Sequence, residues 1–204
     1  MHPIERLRYV ARAGQAPEHI LVPESMAALS AFCSDKNALL TALRRLTTRQ
    51  PESPGIVCLG AHMLHELDAC DAGWALTDRF ALDPTAEIAE SISVGKSSGM
   101  DVIDSVASGP GLVLCPAGSK AWIDHAREAG RKVVIVMPLG SRLPARLWGA
   151  YLARNGIDVA ADEQPGSMEL IEIDQFDELI DPEGLRTLDE WAADCPDVAE
   201  LARG

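Results

Sequence analysis

Apolar residues recur at three- and four-residue spacing through the first half of the chain. Ile4, Leu7, Val10 and Ala11 form one stripe, which Gly14 stops. Met26, Leu29 and Phe32 form a second, with Pro23 placed in its opening turn. Leu39, Leu40, Leu43 and Leu46 form a third behind Asp35, a good N-cap. This period predicts amphipathic helices. The run Gln50-Pro51-Glu52-Ser53-Pro54-Gly55 breaks the pattern and residues 56–67 resume it. Asp83-Pro84, a cap followed by a first-turn proline, opens a further helix to about residue 92. The short connections predict a small antiparallel bundle over residues 1–95.

The texture changes at the polar, flexible stretch SVGKSSG, 93–99. The domain boundary is placed there, dividing a helical domain, 1–95, from an α/β domain, 96–204. Residues 101–106 read as a strand and 107–111 as a turn. Residues 112–115 are a short apolar run, followed by the small-residue turn Ala117-Gly118-Ser119. Ala121, Trp122, Ile123, Ala126 and Ala129 then recur at helical spacing until Gly130, and 133–137 is continuously apolar. Strand, helix and strand in that order predict a parallel βαβ unit with a right-handed crossover. Leu147, Trp148 and Tyr151 mark a helix over 143–152, closed by Asn155-Gly156. Residues 168–173 alternate with Glu169 and Glu172, as a half-exposed strand near a sheet edge would. The last 30 residues read as turns and short helices around Leu179, Leu185, Leu188 and Trp191.

A chain of 204 residues buries roughly 70% of its unfolded surface, enough for a core without staples. Its charged opening and the lack of any apolar run near ~20 residues predict a soluble, cytoplasmic protein with no membrane contact. The five cysteines are odd in number and scattered, which fits reduced thiols better than a disulfide framework or a zinc site. The net charge of -13 is unevenly placed: residues 158–204 hold 15 acidic and 2 basic residues, and the remainder is neutral. A solvated acidic surface accounts for this, and docking of a basic protein partner is the alternative. Nucleic acid is disfavoured, because no Lys/Arg cluster stands out to neutralise phosphates.

Candidate chemistry concentrates in one place. Gly95-Lys96-Ser97 ends like a phosphate-binding loop, but Glu90 stands where that motif needs glycine. His62, His65, Glu66, Asp68 and Cys70 lie close in sequence without metal-ligand spacing, so they read as helix residues and no metal is expected. Gly118, Ser119 and Lys120 open a helix after a strand, and backbone N–H groups, a hydroxyl and a cation there favour an anion such as a phosphate. Ser119 acting simply as the N-cap is the competing reading. Cys115 at the preceding strand end is either a thiol activated by the helix dipole or a small buried hydrophobe. No GxSxG nucleophile elbow occurs.

Taken in order, HPIERLRYVARAG, QPESPG, DVIDSVASGPG, AGSKAWIDHAREAGRKVVIVMPLGSRLPARLW and ADCPDVAEL resemble actinobacterial members of the initiation factor 2B-like family. That family includes methylthioribose-1-phosphate and ribose-1,5-bisphosphate isomerases. The resemblance implies an α/β fold with a helical N-terminal bundle and a reduced Rossmann-like parallel-sheet domain, assembled as a homodimer and without a cofactor. It also implies a catalytic cysteine in a Cys-Asn-Thr-Gly-like loop, which residues 74–99 lack, and a catalytic aspartate whose place Val106 takes, with Asp104 two residues away. The chain reads as short of full-length relatives by about two βα units around residues 74–100. Gly118 and Ser119 match the family's helix-opening pair, and Arg49 lies near its substrate-side Arg-Pro segment.

These features favour a non-catalytic binding or regulatory protein, able to bind a phosphorylated small molecule through Gly118, Ser119, Lys120 and Arg49. A sugar-phosphate isomerase using Asp104 or Cys115 is one alternative. A structural subunit docking a partner through its acidic C-terminal region is another.

Overall fold

The computed structural model describes residues 3–10, 12, 16–94, 99–160 and 168–203, and within these six helices precede the first strand. They are α1 (Pro3–Val10), α2 (Glu18–Leu29), α3 (Lys36–Arg49), α4 (Pro54–His65), α5 (Ala69–Ala81) and α6 (Thr85–Val94). Capping chemistry sets several starts. The Asp35 carboxylate accepts from the Asn37 and Ala38 N–H groups to open α3, Ser53 accepts from Ile56 N–H to open α4, and Asp68 accepts from Cys70 and Asp71 to open α5. Helix α4 is buried along almost its whole length, from Pro54 to Leu64, so the other helices gather round it. Helix α2 starts five residues before Pro23, not at it, and carries the proline inside. The interior proline removes one helical hydrogen bond, to the His19 carbonyl.

Among its described residues the second half holds two sheets. One has the order β1 (Met100–Asp104), β4 (Lys132–Val136), β6 (Glu178–Asp181), β7 (Gly184–Thr187); the first three are parallel and β7 returns antiparallel. The other is antiparallel, in the order β2 (Ala107–Gly109), β3 (Leu112–Pro116), β5 (Met168–Glu172). Helices α7 (Ser119–Glu128), α8 (Ala145–Arg154) and the single turn α9 (Ala199–Ala202) complete the chain.

This corrects three expectations. The strands flanking α7 do not form one βαβ pair: β3 joins the antiparallel sheet, where Val113 faces Ile171, and β4 pairs in parallel with β1, Val134 facing Val102. Apolar runs report that both faces are covered, which is true in both sheets, and carry no record of the partner. Residues 107–109 are a strand, not the start of a turn. The last 30 residues contain β6, a central strand of the parallel sheet, whose four-residue length and acidic ends hide it from a periodicity reading. The acidic C-terminal region over residues 168–203 is therefore built into the fold and is not a tail.

Alternation along β4 divides the packing. Val133, Ile135 and Met137 face a core shared with Val113, Cys115 and Ile123, while Val134 and Val136 face Ala89 and its neighbours on α6. The largest core cluster runs from the bundle into the second half, joining Leu43 and Ile56 to Leu143, Leu147, Trp148 and Leu201. The expected boundary between residues 95 and 96 lies outside the described residues, but the two halves share this core. A buried ion cluster secures the C-terminal strap: Arg142 donates to Asp181 at 2.8 Å and to Asp194 at 2.7 Å, with both aspartates almost fully enclosed.

Candidate functional site

Open α/β sheets bind ligands beyond the carboxyl ends of their strands, and here β1 and β4 end side by side, Asp104 opposite Val136. A cavity of about 840 Å³ lies there, roofed by the helical half. Asp104, Glu18, Asp83 and Glu90 line it with His19, and its lining contains no Lys or Arg. Asp83 has a structural task. Its carboxylate accepts from Thr85 N–H at 3.0 Å to cap α6, and from Leu139 N–H at 2.8 Å to fasten the loop after β4. Asp104 is exposed at the strand end.

Glu18 is the residue that the hydropathy and motif reading missed. It opens α2 and turns its carboxylate onto the start of α4, accepting from the Ser53 hydroxyl at 2.9 Å and from Gly55 N–H. Burial pushes its pKa up to about 7 against the opposing pull of those two hydrogen bonds. The only local signal was an acidic residue after Pro17, an ordinary first-turn feature. A side chain at Gly55 would crowd the Glu18 carboxylate and Val22 and force the carboxylate aside.

A second cavity, about 440 Å³, shares Glu18 with the first and brings together Arg49, Ser53 and Val106. Arg49 and Val106, singled out separately in the sequence, thus line one cavity, with a valine at the place the resemblance gives to an aspartate. Val106 lies just beyond β1 and donates its N–H to Leu114 O at 2.8 Å.

The turn before α7 is a separate place. Gly118 is the N-cap, in the left-handed region at φ 91°, and Ser119 does not cap: its hydroxyl donates back to Pro116 O at 2.6 Å. The cap reading failed because Ser119 is already the first helical residue. The exposed N–H groups are taken by Glu169 of β5, whose two carboxylate oxygens accept from Gly118 and Lys120, each at 2.9 Å. Cys115 sits in the closed second core, fully buried, its thiol pushed up to about 12 by burial and then by Glu169 and Asp104. Neither the turn nor Cys115 lines the two cavities that hold Glu18.

His62 bonds Asp194 O at 3.1 Å, and among the described residues no group of three His, Cys, Asp or Glu could hold a metal ion. Gly95-Lys96-Ser97 lies outside the described residues.

Solved structures share this architecture. A Pyrococcus horikoshii OT3 translation initiation factor eIF-2B matches at a TM-score of 0.62 with 8% identity, over 91% of this chain and 97% of that one. The fold is eIF2B-like. The tetrameric eIF2B-beta2-delta2 complex from C. thermophilum matches at 0.59 with 12% identity, over 91% and 90% of the two chains. The eIF2B beta from Chaetomium thermophilum matches at 0.59 with 10% identity, over 91% and 88%. Against these eIF2B-like neighbours the alignment takes in nearly the whole of both chains, and residues 74–100 hold most of α5, all of α6 and the start of β1. No family model and no curated protein matches the sequence. No helix among the described residues is long and apolar enough to cross a membrane.

Proposed function

We propose that this chain is a non-catalytic eIF2B-like binding or regulatory protein that works as a homodimer. The observation that carries the reading is the cavity holding Arg49, Ser53 and Val106. Isomerisation of a sugar phosphate moves a proton between carbons, so it needs an acid or base held against the substrate. A valine side chain can do neither, and Glu18, which also lines this cavity, is held by the Ser53 hydroxyl and Gly55 N–H. Cys115, the other candidate, is sealed in the core with its thiol held protonated. A phosphorylated ligand at Gly118, Ser119 and Lys120 would first have to displace Glu169. One neighbour is described as a tetrameric complex, and assembly of this chain with a second copy is in keeping with that.

One observation favours the isomerase alternative. Asp104 and Glu18 line the same 840 Å³ cavity, and a carboxyl titrating near 7 suits general acid–base work. Turnover assays with ribose-1,5-bisphosphate and methylthioribose-1-phosphate, run beside light scattering, decide between the two. A dimer mass with no turnover supports the proposal. Turnover abolished by Asp104→Asn in a folded protein would replace it with the isomerase.

A further inference from the structure

The five cysteines lie far apart along the chain, yet the fold brings four of them together in two pairs, Cys33 with Cys70 and Cys58 with Cys195. All five are free thiols. The first pair forms where α2 meets α5. Cys33 follows the short 3-10 turn Ser30–Phe32 at the end of α2, and its thiol donates to Leu29 O at 3.9 Å. Cys70 lies in the first turn of α5 and donates its thiol to the next carbonyl, Ser30 O, at 3.8 Å. Two sulfurs seated on successive carbonyls are neighbours, and these two thiols are in hydrogen-bonding contact. One turn further along α5, Gly73 offers no side chain to hold off Met26 of α2, so the two helices approach closely there. Both cysteines are half-buried, which leaves them within reach of a small reagent. The second pair has the contact without the access. His62 of α4 bonds Asp194 O at 3.1 Å, which sets Cys195 over Cys58, one turn back on the same helix, and both of these cysteines are buried.

We infer that Cys33 and Cys70 are a site of reversible oxidation, joined as a disulfide by exchange with a low-molecular-weight disulfide and released again by thiols. Burial, then the hydrogen bond with Cys70 and the nearness of Cys70 and Asp68, push the Cys33 thiol up to about 12. Cys33 therefore keeps its proton at neutral pH, and Cys70 opens the exchange. The Cys70 sulfur, its proton given to solvent, attacks one sulfur of the small disulfide and expels the other as a thiol, leaving a mixed disulfide. Cys33 then attacks the Cys70 sulfur, loses its own proton, and expels the second small thiol. Two electrons pass from the cysteine sulfurs to the small disulfide, and its two halves leave carrying the two protons. The new bond closes a loop that holds all of α3 and α4, so it restrains the unfolded chain while joining groups that are already neighbours in the folded one.

Oxidised glutathione added to the full folded chain tests this, followed by acid quenching, thiol counting and peptide mapping without reduction. The thiol count should fall from five to three, and one linked peptide should carry Cys33 and Cys70. The Tm should rise by roughly 5–15 °C, and dithiothreitol should reverse both changes. Cys33→Ser should hold glutathione on Cys70, with no linked peptide and no rise in Tm. Cys58, Cys115 and Cys195 should stay reduced while the chain is folded. Five thiols surviving oxidation, a lasting glutathione adduct on Cys70 beside a free Cys33, a link through Cys58, Cys115 or Cys195 in the folded chain, or a linked protein that melts no higher would each overturn the inference. None of these readouts depends on a ligand, a dimer mass or turnover, so the oxidation site and the non-catalytic reading fail separately.

Discussion

Glu18→Gln should stabilise the protein above neutral pH and leave it nearly unchanged in acid. The carboxyl titrates at about 7 in the folded chain, against an ordinary value of 4.5. A raised acid binds its proton more tightly when folded than when unfolded. Its contribution is therefore fully favourable below about 4.5 and is lost as pH rises through 7. At about 1.4 kcal/mol for each pKa unit, the ionised carboxylate costs up to about 3 kcal/mol at pH 8, a ceiling because Glu18 keeps some contact with solvent. Glutamine reproduces the protonated acid: its carbonyl oxygen accepts from the Ser53 hydroxyl and Gly55 N–H, and it carries no charge to desolvate. For a chain of this length, 1 kcal/mol moves the Tm by roughly 2–4 °C, so the variant should melt roughly 6–12 °C higher at pH 8. At pH 4.5 the two proteins should melt within a degree or two of one another. Melting curves of both proteins across that range, followed by circular dichroism, decide it. Equal Tm values at pH 8, or a Glu18→Gln penalty of the same size at both ends, would refute the account of a carboxylate ionised against its burial.

Glu169→Gln weakens two charge-assisted bonds to exposed N–H groups at the start of α7; the expected loss is about 1 kcal/mol, read as a fall in Tm of roughly 2–4 °C. Arg142→Ala leaves Asp181 and Asp194 buried without their cation and should cost about 3–5 kcal/mol by urea unfolding. Arg142→Lys should recover little of that, since one ammonium cannot span both carboxylates in the geometry of the guanidinium. Iodoacetamide should leave Cys115 unmodified in the native protein at pH 8, while label appears there once the chain is unfolded in urea; native-state labelling detected by peptide mass spectrometry would contradict its burial and raised pKa.

Helices α3, α4, α7 and α8 were legible because each signal lies within its own residues: an apolar stripe at helical spacing, a capping side chain at Asp35, a stop at Gly130 or Gly156. The strands of 112–115, 133–137 and 168–173 were legible for the same reason. Their partners were not. Whether β3 pairs with β4 or β5 depends on contacts more than fifty residues apart in the case of β5, and an apolar run is equally content in either sheet. Strand β6 escaped because ELID is short and acidic at both ends, and what makes it a strand is its place beside β4, with Asp181 neutralised by Arg142 from a distant loop.

The candidate sites divide along the same line. Residue types in the α7 turn foretold an anion, since local N–H groups at a helix start attract one wherever they occur. That the anion is Glu169, delivered by a strand some fifty residues later, was decided by tertiary packing alone. Glu18 looked like any first-turn acid until folding set it on the N-terminus of α4, where loss of solvent changes its chemistry. Local sequence determined which segments coil, extend or turn, because those preferences are energies of neighbouring residues. Pairing, burial and the state of each charge were decided only when distant segments met, because those are energies of surroundings that no short stretch of chain contains.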